Sequence, residues 1–138
     1  MSKQQNKITG NKGESLAAEY LQRKGYRVLE RNYRSKWGEV DIICKYQTPI
    51  YTQPEYMRVQ ANLQTEEIVV FVEVKTKTTD KYGEPWEMIS HWKIEQVKRM
   101  GEVWCREYAW EGRVRVDVVG VWLTGDEPKI QHWENVEI

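Results

Sequence analysis

Cysteine is scarce: Cys44 and Cys105 are the two in the chain, far apart, with no CxxC spacing and no histidine-rich segment beside them. That excludes a zinc knuckle and a dithiol redox pair, and it points to a reduced, cytoplasmic protein. Histidine is as rare. His91 and His132 lack ligand spacing and read as surface residues at a helix start and on an edge strand, so a Ser-His-Asp set has no support. Long apolar runs are also missing: the longest, Ile68 to Val72, is far too short to span a membrane, and MSKQQNKITG lacks the apolar segment of an export signal. Net charge is absent, with 21 basic against 21 acidic residues, which argues against a protein that coats nucleic acid by charge alone. A nuclease survives that test, because carboxylates gathered at a metal offset a basic rim. Arg31, Arg34, Lys36, Lys75, Lys77 and Lys81 would supply such a rim, or serve equally as solvated faces.

What is present reads as one domain of 138 residues with alternating helices and strands and no internal repeats. NKGESLAAEYLQRKG predicts a helix, capped by Asn11 and closed at Gly25. Ala17, Tyr20 and Leu21 form its apolar stripe, and Glu14 falls on or beside that inward face. YRVLERNYR is extended, with Tyr26 and Val28 on one side, and SKWG turns the chain. EVDIICK predicts a strand with Glu39, Asp41 and Ile43 on one face and Val40, Ile42 and Cys44 on the other. Residues 46–67 carry Pro49 and Pro54 and show no clean period, as in an insertion or a loose hairpin. EIVVFVEVKTK is the strongest strand, apolar enough to be covered on both faces. Residues from about Trp86 to Tyr108 predict a second helix, on which Ile89, Lys93, Val97, Met100 and Trp104 follow one face. RVRVDVVGVWL and KIQHWENVEI complete an α/β fold, a mixed sheet flanked by helices.

The chemistry concentrates at FVEVK. Alternation places Phe71, Glu73 and Lys75 on one strand face, with Glu73 and Lys75 roughly 6.6 Å apart at their Cα atoms. Charges inside an apolar strand must be compensated. Asp41 on the preceding strand is the natural neighbour, and two adjacent carboxylates are relieved by a shared proton or a divalent cation. A set of carboxylates, a backbone carbonyl and water is a hard oxygen site, suited to Mg²⁺ or Mn²⁺. Lys75 would orient or deprotonate a water there, or offset charge on a phosphate. Among the seven tryptophans, Trp92, Trp104 and Trp122 fall on periodic core positions, whereas Trp37 and Trp86 lie in turns near the cleft and suit base stacking. Asp117 interrupts an apolar strand and reads as structural, bonded to a lysine or a backbone amide.

Asp41 followed by Glu73-Val74-Lys75 resembles the D…ExK signature of the PD-(D/E)xK nuclease superfamily. GNKGESLAAEYLQRKGY, RNYRSKWGEVDII, FVEVKTK, YGEPWEMI followed by Lys93, and RVDVVGV resemble, in order, the blocks of the YraN-like family of predicted endonucleases, relatives of archaeal Holliday-junction resolvases. The resemblance implies a restriction-endonuclease-like core with Asp41 and Glu73 as metal-binding acids, the Val74 carbonyl as a further ligand and Lys75 as the water-positioning base. It further implies Glu14 as a helix-borne acid completing the metal or water shell. Lys93 and Gln96 would contact the scissile phosphate or support the site, and Arg34, Lys36 and Lys77 would contact nucleic acid. Glu39 shares the Asp41 face or sits at the cleft mouth. Segment 46–67 departs from the family pattern, where a short turn is expected.

The leading expectation is therefore a cytoplasmic, Mg²⁺- or Mn²⁺-dependent endonuclease acting on DNA, with branched DNA implied by the resolvase likeness and a homodimer matching a symmetric target. The competing expectations are a nucleic-acid-binding module that keeps the fold without turnover, and a purely structural ion-pair network.

Overall fold

In the computed structural model the described residues are 2–50, 54, 57, 64–79 and 85–136. Eight elements follow in order: α1 (Lys3–Arg23), β1 (Arg27–Ser35), β2 (Gly38–Ile50), β3 (Gln64–Lys77), α2 (Pro85–Met88), α3 (His91–Glu107), β4 (Val114–Trp122) and β5 (Lys129–Trp133). The strands form one mixed sheet in the order β1-β2-β3-β4-β5, in which only the β3–β4 pair is parallel. This is the α/β class expected from the sequence, in keeping with a restriction-endonuclease-like core.

β3 explains the layering. Its alternate residues Val70 and Val72 pack with Ile42, Cys44, Ala17 and Leu21 under α1, while Val69 and Phe71 pack with Ile43, Val97, Met100 and Trp104 under α3. The central strand is thus covered on both faces, which its unbroken apolar run requires. Gly13 lets α1 approach closely, since a Cβ there would stand 1.9 Å from Thr76 Oγ1. That contact seats the first half of α1, including Glu14, against the end of β3.

Four sequence expectations need correction. α1 starts at Lys3 and not beyond Asn11: Ser2 caps it, accepting from the Gln5 backbone while the Gln5 side chain accepts from Ser2. The second helix is two, because Ser90, in extended conformation, accepts the Lys93 N–H and starts α3 afresh. Trp92 then falls on the outer face of α3 and is 64% exposed, whereas Trp104 and Trp122 are core as expected. In β2, Val40 joins the α3-side cluster and Ile42 the α1-side cluster, so the two do not share a face. The alternation breaks at Asp41, just where pairing with β3 stops.

Segment 46–67 is partly a hairpin. β2 and β3 pair as far as Ile50↔Gln64, and Lys45 and Gln47 each contact Glu67 across the ladder. The remainder of that segment lies outside the described residues, as do Lys81 and most of the YGEP stretch. No helix among the described residues is long and apolar enough to cross a membrane.

Candidate active site

Asp41 and Glu73 face one another where the β2–β3 ladder ends. The last paired residues at this end are Ile42 and Val72, so the next positions along are not joined by the ladder. The Asp41 side chain takes over: its Oδ2 accepts the Val74 backbone N–H at 2.8 Å. On β1, Asn32 lies between Arg31 and Tyr33, which pair with Ile42 and Val40 on either side of Asp41, and its φ is 55°. Asparagine tolerates this left-handed conformation better than most residues.

Glu73 is 8% exposed. Its Oε1 lies 3.9 Å from Lys93 Nζ on α3, and its Oε2 is buried with no hydrogen-bond partner among the described residues. A buried carboxylate oxygen without a donor is costly unless protonated or matched by a cation. Burial, then the Asp41 charge, push the Glu73 carboxyl up to about 8, against the opposing pull of Lys93 and Lys75. Burial likewise lifts Asp41 to about 6, with Glu14 and Glu39 adding to the rise and the Val74 N–H opposing it. The pair therefore resists carrying two negative charges in the absence of a cation.

Glu14, 7% exposed, comes to the same cleft from α1. Its Oε1 accepts from Arg31 Nε at 3.1 Å and from Asn32 Nδ2 at 2.9 Å. It is thus held near Asp41 by two donors of its own. Among the described residues no three His, Cys, Asp or Glu side chains cluster as a ready-made metal cage. The two-carboxylate arrangement still matches Mg²⁺, which keeps several waters and binds through one or two carboxylates plus substrate phosphate. The unpartnered Glu73 oxygen and the raised carboxyls fit that cation; a zinc site would need nitrogen or sulfur donors that are missing here among the described residues.

Two hollows open beside these residues, one reaching Asp41 and the other reaching Lys93, the neighbour of Glu73. One, of about 650 Å³, lies between α1 and the sheet end and is lined by Glu14, Asp41, Val74, Lys75 and Lys77. Lys75 makes no ion pair or hydrogen bond among the described residues, so its ammonium is available to the cleft. The other, of about 490 Å³, is lined by Lys36, Trp37, Lys93 and Gln96. Arg34 and Glu39 line both, and pair with each other at 3.0 Å, which puts Glu39 at the cleft mouth. A separate hollow of about 590 Å³ between α3 and β4 contains none of the predicted site residues.

Lys93 Nζ donates to Gln96 Oε1 at 3.0 Å, and Gln96 Nε2 donates to the Trp37 carbonyl at 3.4 Å. Gly38 permits this contact: its φ is +149°, and a Cβ there would lie 2.6 Å from Gln96 Cδ. Lys93 and Gln96 thus support the site from α3, bracing the β1–β2 turn against Glu73. The side chain of Trp86 lies outside the described residues.

Sequence reasoning missed Asn32 as a donor to Glu14. The signal was an asparagine inside the extended stretch YRVLERNYR, a residue type disfavoured in strands and tolerant of positive φ. It also misplaced His132, expected at the surface. The His132 side chain is 3% exposed, and its Nε2 lies 2.8 Å from Oδ2 of the fully buried Asp117. Arg115 makes two 2.8 Å bonds to the same carboxylate, and the Asn135 N–H a third contact at 3.0 Å. The backbone amide expected to bond Asp117 is that of Asn135, and its side-chain partners are Arg115 and His132 rather than a lysine.

The family model described as "Uncharacterised protein family UPF0102" matches residues 13–121. A UPF0102 protein of Geobacter metallireducens is 34% identical over 131 residues, covering 94% of this chain and 92% of the relative. Another, of Leifsonia xyli subsp. xyli, is 38% identical over 127 residues, 89% and 90% of the two chains. A third, of Mycolicibacterium gilvum, is 39% identical over 130 residues, 92% and 91%.

Proposed function

We propose that this chain, which belongs to the UPF0102 family, is a divalent-metal-dependent endonuclease that hydrolyses phosphodiester bonds in DNA. The observation that carries this reading is the Asp41–Glu73 pair, two raised carboxyls on neighbouring strands, one of them with a buried, unpartnered oxygen. A fold built only for stability would gain by replacing such a pair with apolar residues.

Asp41 and Glu73 would hold Mg²⁺ or Mn²⁺, with Val74 contributing its carbonyl. The cation, when bound, supplies Lewis-acid polarisation of a phosphoryl oxygen and acidifies a water. Asp41 is fixed for this task by the Val74 N–H. Lys75 projects its ammonium into the same cleft, where it orients the attacking water or offsets charge on the pentacoordinate phosphate. Lys93 keeps positive charge beside Glu73 Oε1. Glu14, anchored by Arg31 and Asn32, adds a third negative charge at the cleft wall and can accept a hydrogen bond from the nucleophilic water.

A Lys75→Ala variant tests the assignment, because Lys75 makes no ion pair or hydrogen bond among the described residues. Cleavage of plasmid DNA in Mg²⁺ is expected to fall about 10²- to 10⁴-fold, while Mn²⁺ affinity measured by calorimetry stays within a few-fold of wild type. Undiminished cleavage would remove Lys75 from the reaction. A second reading, a nucleic-acid-binding module without turnover, is favoured by one observation: Glu14 is already engaged with Arg31 and Asn32, so of the three predicted acids only Asp41 and Glu73 accept no side-chain hydrogen bond among the described residues. Metal-independent DNA binding with no cleavage by wild type would select it.

A further inference from the structure

Trp37 is 65% exposed at the tip of the β1–β2 turn, which leaves its large aromatic side chain open to a partner. The turn that carries it is held at several points. The Trp37 N–H donates to Ser35 Oγ at 3.0 Å, its carbonyl accepts from Gln96, and Ser35 Oγ contacts Met100 Sδ at 3.2 Å. The Lys36 ammonium sits over the indole, 4.7 Å from the ring centroid. A rigid backbone thus presents one open aromatic face, backed by a cation, at the edge of the 490 Å³ hollow.

The same contacts tie this turn to the carboxylate pair. The Trp37 backbone carbonyl leads to Gln96, Gln96 to Lys93, and Lys93 to Glu73, through contacts of 3.9 Å or less. Trp92, also exposed, stands four residues before Gln96 on α3 and therefore on the same side of that helix.

We infer that Trp37, with Lys36, is a stacking platform for an unpaired nucleobase of DNA next to the bond to be cut, so that the substrate is single-stranded or splayed at that point rather than closed duplex. The inference rests on the nuclease reading for the position of the scissile phosphate. Its physical basis is independent of it. An indole can stack only on a base whose face is free, and bases inside a closed duplex have none. The Lys36 ammonium then meets the phosphate that accompanies the stacked base, and Arg34 lies along the same rim.

Fluorescence anisotropy in EDTA, where no cleavage occurs, separates the two readings. Wild type, Trp37→Ala and Trp37→Phe are each titrated into a labelled oligo-dT strand, a forked duplex and a blunt, closed duplex. Stacking is worth about 1–3 kcal/mol per base, so Trp37→Ala is expected to weaken binding to the strand and fork about 5- to 150-fold. The closed duplex should change less than threefold, and Trp37→Phe should recover most of the loss. Equal effects on all three DNAs, no effect, or wild type binding none of them would overturn the inference. Failure of the nuclease reading shows elsewhere, as wild type that binds these DNAs yet cleaves none of them in Mg²⁺ or Mn²⁺. The 65% exposure of Trp37 means that unfolding is not expected to confuse the result, and an unchanged thermal midpoint checks that directly.

Discussion

Glu73→Gln is expected to lower metal-dependent DNA cleavage by roughly 10³-fold or more, since a bound cation contributes several kcal/mol to a phosphoryl transition state and each 1.36 kcal/mol is a decade. The same substitution is expected to stabilise the metal-free protein at alkaline pH. The sign follows from the direction of the shift. The Glu73 carboxyl is raised from an ordinary 4.5 to about 8 in the fold, so the native state holds a proton that the unfolded chain has released between those values. The Glu73 contribution to the stability of the metal-free wild type is therefore full below about 4.5 and is lost as pH rises through 8, with Asp41, raised to about 6, adding to the slope. A glutamine removes the larger share of that loss. Thermal melts from pH 5 to 9 in EDTA check it: the wild-type midpoint should decline with pH and the variant's should decline less. Saturating Mn²⁺ should restore the wild type at pH 8 and leave the variant nearly unmoved, because only a species that binds the native state shifts the equilibrium.

The largest stability effect is expected outside the carboxylate pair, at Asp117 on β4, the register partner of Val72. Burial alone would raise its carboxyl, yet the bonds from His132, Arg115 and the Asn135 amide hold it below the usual carboxylate range. The Arg115 side chain is only 9% exposed, and its Nη2 also contacts the Tyr26 hydroxyl. Removing the aspartate charge leaves that buried guanidinium with only the half-exposed Glu134 carboxylate, 3.9 Å away, as counter-ion; breaking a buried pair typically costs about 3–5 kcal/mol, and Glu134 offsets part of that. Against a total stability of about 5–15 kcal/mol for an ordinary domain, Asp117→Asn should bring the urea midpoint down by a large fraction and leave the wild-type cleavage rate intact in the molecules still folded. Because this carboxyl is lowered, its contribution is present above pH 4 and is lost as the pH falls through its folded value. A loss below about 1 kcal/mol would mean that the network is dispensable. The cluster ties β5 to β4 and to the start of β1, through His132, Arg115 and Tyr26, which closes the sheet on its α1 face.

Much of this was legible in the sequence, for reasons that differ by element. β3 was plain because an unbroken apolar run has few other uses, and Glu73 and Lys75 were plain because charges inside such a run need an explanation. Asp41 followed from strand adjacency. The start of α1 was not legible, because residues 3–12 are polar and show no stripe; a capping box at Ser2 and Gln5 extends the helix. The break at Ser90 hid inside a pattern that continued in register on both sides of it. Trp92 and His132 were misjudged because exposure depends on what covers a face. α3 leaves its outer side bare, whereas Tyr20 and Tyr26 lie over the His132 ring on an otherwise exposed strand. Partners distant in the chain, such as Glu14 with Asn32 or Arg115 with His132 through Asp117, carry no local signature and emerge only when the sheet is assembled.

One measurement bears most directly on the central claim, that Asp41 and Glu73 form a hard-cation site. Crystals grown with millimolar Mn²⁺ and measured at a wavelength giving manganese anomalous signal should show a peak between the two carboxylates, within about 2.0–2.3 Å of an oxygen from each, and none there in the Glu73→Gln variant. A wild-type crystal saturated with Mn²⁺ that shows no anomalous density between Asp41 and Glu73 would contradict it.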